Sequence, residues 1–153
     1  MKIFLSFAVL AFVLSSCGAN HGKEKNFKGV QLFYTDAVTE AEADALGAYL
    51  IEQEFADGEE KTVQLNKTGK TYEFRMVVKK GIEKDQENIS MFKIVAAELS
   101  ANVFKGEPVE VHICDDQLKT IQVVIPWKTA LLQNIYQSVL NPNDLHYLYG
   151  VQI

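Results

Sequence analysis

The sequence lacks an excess of positive charge. Its 15 lysine and arginine residues stand against 20 aspartate and glutamate residues, which gives a formal net charge of −5. Proteins that bind nucleic acid usually present a basic patch to the phosphate backbone. The charge balance therefore argues against nucleic acid as a partner.

Long apolar runs are also scarce. The segment Ile3–Leu14 is largely apolar and follows the positive charge of Lys2, but it is too short to span a bilayer comfortably. No later segment approaches the roughly 18 uninterrupted apolar residues of a transmembrane helix. We therefore predict that residues 1–16 are a cleaved signal peptide and that the remaining chain is water-soluble.

Four residues at the end of this apolar run carry a recognisable pattern. An aliphatic residue, two small residues and a cysteine follow one another as Leu14, Ser15, Ser16 and Cys17. This segment resembles the lipobox of a bacterial lipoprotein precursor. The resemblance implies cleavage after Ser16, a diacylglyceryl group on the Cys17 sulfur, and acyl chains such as palmitate that anchor the protein to a membrane.

The residue after the cysteine bears on localisation. In some Gram-negative bacteria an aspartate at this position retains lipoproteins at the inner membrane, and this chain has Gly18 there. By this resemblance, we expect an exported protein held by lipid at the outer membrane rather than the inner membrane. With Cys17 lipidated, Cys114 has no intramolecular partner, so the fold is expected to contain no disulfide.

The mature chain divides into three parts by composition. Residues 17–29 comprise the lipidated cysteine and a segment with few apolar residues, which predicts a flexible tether. Residues 30–126 have the patterning of one folded domain. Residues 127–153 form a C-terminal helical and aromatic tail, whose apolar residues favour packing on that domain.

The domain alternates between strand and helix patterns. We predict strands within residues 30–35, 61–66, 71–79, 108–114 and 119–125. Helices are predicted at 38–55, capped by Thr39 and Glu42, and at 86–105. The order β-α-β-β-α-β-β predicts an α+β fold in which two helices cover one face of a five-stranded, mainly antiparallel sheet.

One sheet face is left without helices in this arrangement, and we call it the open face. Strand periodicity assigns ten residues to it: Phe33, Gln64, Glu73, Arg75, Val77, Glu110, His112, Cys114, Gln122 and Val124. Its mixed polar and apolar composition indicates either a binding surface or a face covered by the C-terminal tail. The strongest candidates for binding are Phe33, Glu73, Arg75, His112 and Gln122.

Reactive side chains come together only around His112 and Cys114, which lie two residues apart on a predicted strand. A histidine beside a cysteine permits nucleophilic catalysis. An inert cysteine is the simpler interpretation, because the sequence shows no oxyanion donor nearby. The same residues with Asp115 do not complete the ligand set of a zinc site.

The sequence thus predicts a lipid-anchored envelope protein that acts without catalysis, as a binding or interaction module. We expect a membrane contact through Cys17, a protein partner in the envelope, no cofactor and no metal. The sequence does not indicate an oligomeric state. Two alternatives remain at this point: a hydrolase or thiol enzyme that uses Cys114 and His112, and a passive structural component of the envelope.

Overall fold

A mixed β-sheet forms the framework of the protein. The computed structural model describes residues 21–126. Its strands are β1 (Lys23–Phe27), β2 (Val30–Tyr34), β3 (Lys61–Thr68), β4 (Thr71–Val77), β5 (Val109–Cys114) and β6 (Thr120–Val124). Its helices are α1 (Glu40–Glu52) and α2 (Gln86–Asn102), and a short 3-10 helix spans Ile82–Lys84.

The strands lie in the sheet in the same order as in the chain. Three antiparallel pairs, β1 with β2, β3 with β4 and β5 with β6, alternate with two parallel pairs, β2 with β3 and β4 with β5. Each parallel pair is joined through a helix, which is the usual crossover between parallel strands. The α+β fold predicted from the sequence is confirmed, with six strands in place of five.

The hydrophobic core lies between the helices and one face of the sheet. On α1 the buried residues are Ala43, Leu46, Gly47 and Leu50, and on α2 they include Ile89, Phe92, Ala96 and Leu99. They pack against alternate strand residues, among them Leu32, Val63, Phe74 and Val111. Because successive side chains of a strand point to opposite faces, the residues between them lie on the open face.

Helix α1 begins where the sequence predicts. The Thr39 side chain accepts a hydrogen bond from the Glu42 backbone N–H at 3.3 Å, and the Glu42 carboxylate accepts one from the Thr39 backbone N–H at 2.7 Å. This reciprocal capping box satisfies two donors that the first turn of a helix leaves free. Helix α2 is capped in a similar way by Asp85, whose side chain accepts from the Glu87 N–H at 2.9 Å.

The predicted boundary between tether and domain is wrong. Residues 23–27, expected to be part of a flexible tether, form β1 and pair with β2. The Lys25 ammonium lies 2.5 Å from Asp44 and 2.8 Å from Glu40 on α1. The ring of Phe27 packs so closely on Gly47 that a Cβ atom there would overlap it. These two contacts fix the strand against α1.

The remaining segment predictions fall outside the described residues. The signal peptide, Cys17 and the first part of the tether lie in residues 1–20, and the C-terminal tail occupies residues 127–153. Within residues 21–126, no helix has both the length and the apolar character needed to cross a bilayer.

Candidate functional site

The strand register places six open-face residues in one row across the sheet. Paired neighbours run from strand to strand in the order Glu24, Phe33, Gln64, Arg75, His112 and Val123. Paired residues of adjacent strands lie side by side on the same face. This open-face row therefore brings together three of the predicted binding residues, Phe33, Arg75 and His112. The fourth, Glu73, lies in the adjacent row between Asn66 and Glu110.

Arg75 occupies the centre of the open face and connects two parts of the sheet. Its Nη2 donates a hydrogen bond to the Leu118 carbonyl at 2.7 Å, and its Nη1 lies 3.6 Å from the Glu73 carboxylate. The Nε of Arg75 is buried and has no hydrogen-bond partner within residues 21–126. A buried donor of this kind is costly unless an acceptor reaches it. The centre of the face thus has one free donor.

Glu73 is held in its ionised form. Burial raises the pKa of Glu73, but hydrogen bonds from Asn66 at 2.9 Å and Thr68 at 2.8 Å, together with nearby positive charge, outweigh burial and bring the pKa below its ordinary value. A carboxylate with a lowered pKa is a poor general base near neutral pH. Its role in this arrangement is to bind hydrogen-bond donors and to neutralise Arg75.

His112 has partners on both sides of its ring. Its Nδ1 lies 3.2 Å from the Thr120 hydroxyl, and its Nε2 lies 3.4 Å from the Glu110 carboxylate. The structure pairs Glu73 with Arg75 and Glu110 with His112.

Cys114 is a buried thiol. Its Sγ donates a hydrogen bond to the His112 carbonyl at 3.4 Å and lies 4.0 Å from the Thr120 hydroxyl. Burial raises the pKa of Cys114 above its ordinary value, and this effect outweighs the nearby Arg75 charge. Because the thiolate is the nucleophile, a raised pKa disfavours the thiol-enzyme alternative.

The predicted position of Gln122 on the open face is wrong, and so is that of Val124. The β5–β6 register pairs Ile113 with Gln122 and Val111 with Val124, which puts both residues on the helix-covered face. Two features set this register: a turn in which the Asp115 carboxylate accepts hydrogen bonds from the Gln117 and Lys119 N–H groups, and a bulge beside Cys114. The open face receives Val123 in place of Gln122.

The structure exposes three β-branched residues on and next to β6 that were not among the predicted site residues. Ile121, Val123 and Ile125 are 50%, 42% and 61% exposed and occupy alternate positions along and just beyond β6. We call them the apolar stripe. Their period-two spacing is visible in the sequence. The hairpin register is also needed to assign them to an exposed position.

The first described residues also contact the open face. The side-chain amide of Gln64 donates to the His21 carbonyl at 2.7 Å, and the His21 and Phe33 rings lie 5.5 Å apart. His21 therefore covers one end of the open-face row. In the described range 21–126, no three His, Cys, Asp or Glu side chains are grouped so that they could hold a metal ion.

Comparison with known proteins identifies a family for the folded region. Residues 25–124 match the AF_1994_N family N-terminal domain, and this range is more than half of the 153-residue chain. It runs from within β1 to the last residue of β6. No curated protein and no solved structure matches the chain. By the extent of the family match, the chain belongs to the AF_1994_N N-terminal domain family.

Proposed function

We propose that the mature protein is a non-catalytic binding module, held at a bacterial membrane by lipid on Cys17, and that its open face binds another protein of the cell envelope. The anchor is supported by the lipobox residues Leu14, Ser15, Ser16 and Cys17. The glycine at position 18 favours the outer membrane. Lipid attachment through two or more acyl chains holds a protein stably, because each buried methylene contributes roughly 0.8 kcal/mol.

The apolar stripe is the observation that carries the binding role. The three β-branched side chains at the edge of the sheet expose apolar surface. Covering this surface with a partner is favourable, because it removes apolar groups from water. In the open-face row His112 lies beside Val123 of the stripe, and Arg75 lies next to His112. Both supply polar groups that fix the orientation of a partner. Protein interfaces usually combine an apolar centre with polar groups around it.

Site-specific photo-crosslinking in intact envelopes tests this proposal. A photoreactive amino acid at position 123 should capture one defined partner protein, because this position lies in both the row and the stripe. The matched control places the same residue at Ser90, which is exposed on α2, away from the open face. We expect no capture of that partner from position 90.

Two second-site variants distinguish a specific interface from chance contact. Phe33→Ala and Ile125→Asp change opposite parts of the open face, and each should reduce capture from position 123 by about tenfold, corresponding to about 1.4 kcal/mol. Undiminished capture in both variants would show that the open face does not bind the partner. Capture of a second copy of the same chain would also contradict the proposal.

A further inference from the structure

We propose that residues 127–153 of this chain dock on the open face and cover the apolar stripe. This inference does not depend on the proposed function, because it concerns contacts within one molecule. If both hold, the tail and the partner compete for the same face.

The end of β6 places the tail beside its docking surface. Strand β6 is an edge strand, and it ends at Val124, one residue before Ile125 of the apolar stripe. Residues 127–153 therefore start next to exposed apolar side chains. A segment attached at this point has a high effective concentration at the stripe, so even weak contacts are populated.

The polar residues at the centre of the open face are shielded although neither helix covers them. Gln64 is 8% exposed and His112 is 9% exposed. His21 and Thr120 supply part of this cover through their contacts with Gln64 and His112. A tail docked on the open face would add a second layer over these polar groups.

The unpartnered donor of Arg75 gives the docked segment a polar contact. Its Nε is buried and lacks an acceptor within residues 21–126. The tail contains six side-chain amides, at Gln133, Asn134, Gln137, Asn141, Asn143 and Gln152, and each has a carbonyl oxygen that accepts hydrogen bonds. An amide or backbone carbonyl from the tail would satisfy the Arg75 donor.

The tail composition suits an apolar surface. No charged residue lies between Lys128 and Asp144, so docking of this part does not bury a charge. Leu132, Ile135, Tyr136 and Val139 recur at helical spacing and predict one apolar side. That side matches the aliphatic character of Ile121, Val123 and Ile125.

Limited proteolysis of the detergent-solubilised mature protein tests the docking. Chymotrypsin cuts after aromatic residues, and the tail offers Trp127, Tyr136, Tyr147 and Tyr149. We expect the initial rate of cleavage after Tyr136 to rise about tenfold in Val123→Asp, because an aspartate on the stripe disfavours the docked tail and cleavage follows the undocked population. Ile125→Asp should have a similar effect and lies beyond the last residue of β6.

A matched variant separates docking from a general loss of stability. Ser90→Asp introduces the same charge at an exposed position on α2 and should leave the cleavage rate unchanged. The proposal fails if Tyr136 is cut in the native protein as fast as in a free peptide of residues 127–153, or if both stripe variants match the native rate. Protection that increases with protein concentration would identify a second copy as the occupant and also overturn it.

Discussion

The carboxylate of Glu42 joins three parts of the molecule. Besides capping α1, it accepts a hydrogen bond from the Tyr72 hydroxyl on β4 at 2.5 Å and one from the Lys67 ammonium on β3 at 3.2 Å. The Tyr72 ring stacks on Phe104, which follows α2, with 3.9 Å between ring centroids. One half-buried side chain thus connects the start of α1 with the β3–β4 hairpin and the end of α2.

This arrangement stabilises the ionised form of Glu42. Burial raises the pKa of Glu42, but the hydrogen bonds from Tyr72, Thr39 and Lys67 outweigh burial and lower the pKa from 4.5 to about 2. A pKa that is lower in the folded state contributes stability above the ordinary value of 4.5. That contribution is lost as the pH falls from 4.5 towards 2, where the folded protein also becomes protonated.

We expect Glu42→Gln to lower the free energy of unfolding by about 1 to 2 kcal/mol at pH 7. Glutamine keeps the capping box but removes the negative charge that Tyr72 and Lys67 bind. The difference from the native protein should shrink as the pH falls from 4.5 to 2, because over this range Glu42 takes up a proton in the unfolded state while it stays largely ionised in the folded state. Urea unfolding at several pH values measures both quantities.

Glu87→Gln provides the control for this prediction. Glu87 is exposed in the first turn of α2 and holds the same charge in a comparable position. It should change stability by less than about 0.5 kcal/mol, as exposed surface substitutions usually do. A stability difference for Glu42→Gln that does not vary between pH 7 and pH 2.5 would refute the assignment of the effect to ionised Glu42.

Residue-level features were predictable from the sequence only where they are local. Thr39 and Glu42 lie three positions apart, so the capping box follows from a short pattern. Tyr72 lies 30 positions from Glu42, and no local pattern reports their contact. The candidate site divides in the same way. Strand periodicity assigned Phe33, Arg75 and His112 correctly, whereas the face of Gln122 depends on a turn and a bulge.

Among the elements, β1 differs most from its prediction. Its sequence has one large apolar residue, Phe27, and two lysines, which is the composition of a tether. The strand is an edge strand and half exposed, so it does not need the apolar alternation by which the inner strands were recognised. Its stability comes from the contacts of Phe27 and Lys25 with a helix that follows later in the chain.

We expect Gly47→Ala to destabilise the attachment of β1. The added methyl group would occupy the position of the Phe27 ring, and displacement of this ring should cost about 1 to 3 kcal/mol. Backbone amides of residues 24–26 should then exchange with solvent faster than those of β3 and β4. Hydrogen exchange followed by mass spectrometry resolves the two regions.

A second substitution isolates the steric cause. In a Phe27→Ala background the same Gly47→Ala change meets no ring, so the higher helix propensity of alanine, worth up to about 1 kcal/mol, should make it neutral or stabilising. The prediction is wrong if Gly47→Ala destabilises both backgrounds equally. That result would place the conflict with some group other than Phe27.

At the scale of the whole molecule, the α+β fold could be predicted from the sequence. The proposed location of the protein in the cell depends on a different segment, which lies before the folded domain. Apolar periodicity in β2 to β6, α1 and α2 was strong enough to indicate an α+β domain, because each of these elements contributes to one shared core. The proposed membrane anchor depends on four residues before Gly18. These residues lie outside the described range 21–126.

Cys17→Ala should abolish lipid attachment without altering the domain. We expect the variant to incorporate no labelled palmitate and to retain residues 1–16, because the lipoprotein peptidase acts after the cysteine is modified. Metabolic labelling with mass determination of the product detects both changes. Cys114→Ala is the matched control and should be labelled and cleaved normally; continued labelling of Cys17→Ala would contradict the lipoprotein assignment.

The order of strands has a consequence for how the protein is made. Every strand pairs only with the strands directly before and after it in the described chain. Contacts between neighbours in sequence form with a small loss of chain entropy and favour rapid folding. A chain that emerges from its amino-terminal end can therefore add one strand at a time to a growing sheet edge. The residues after β6 emerge only when the surface on which we propose they dock is already complete.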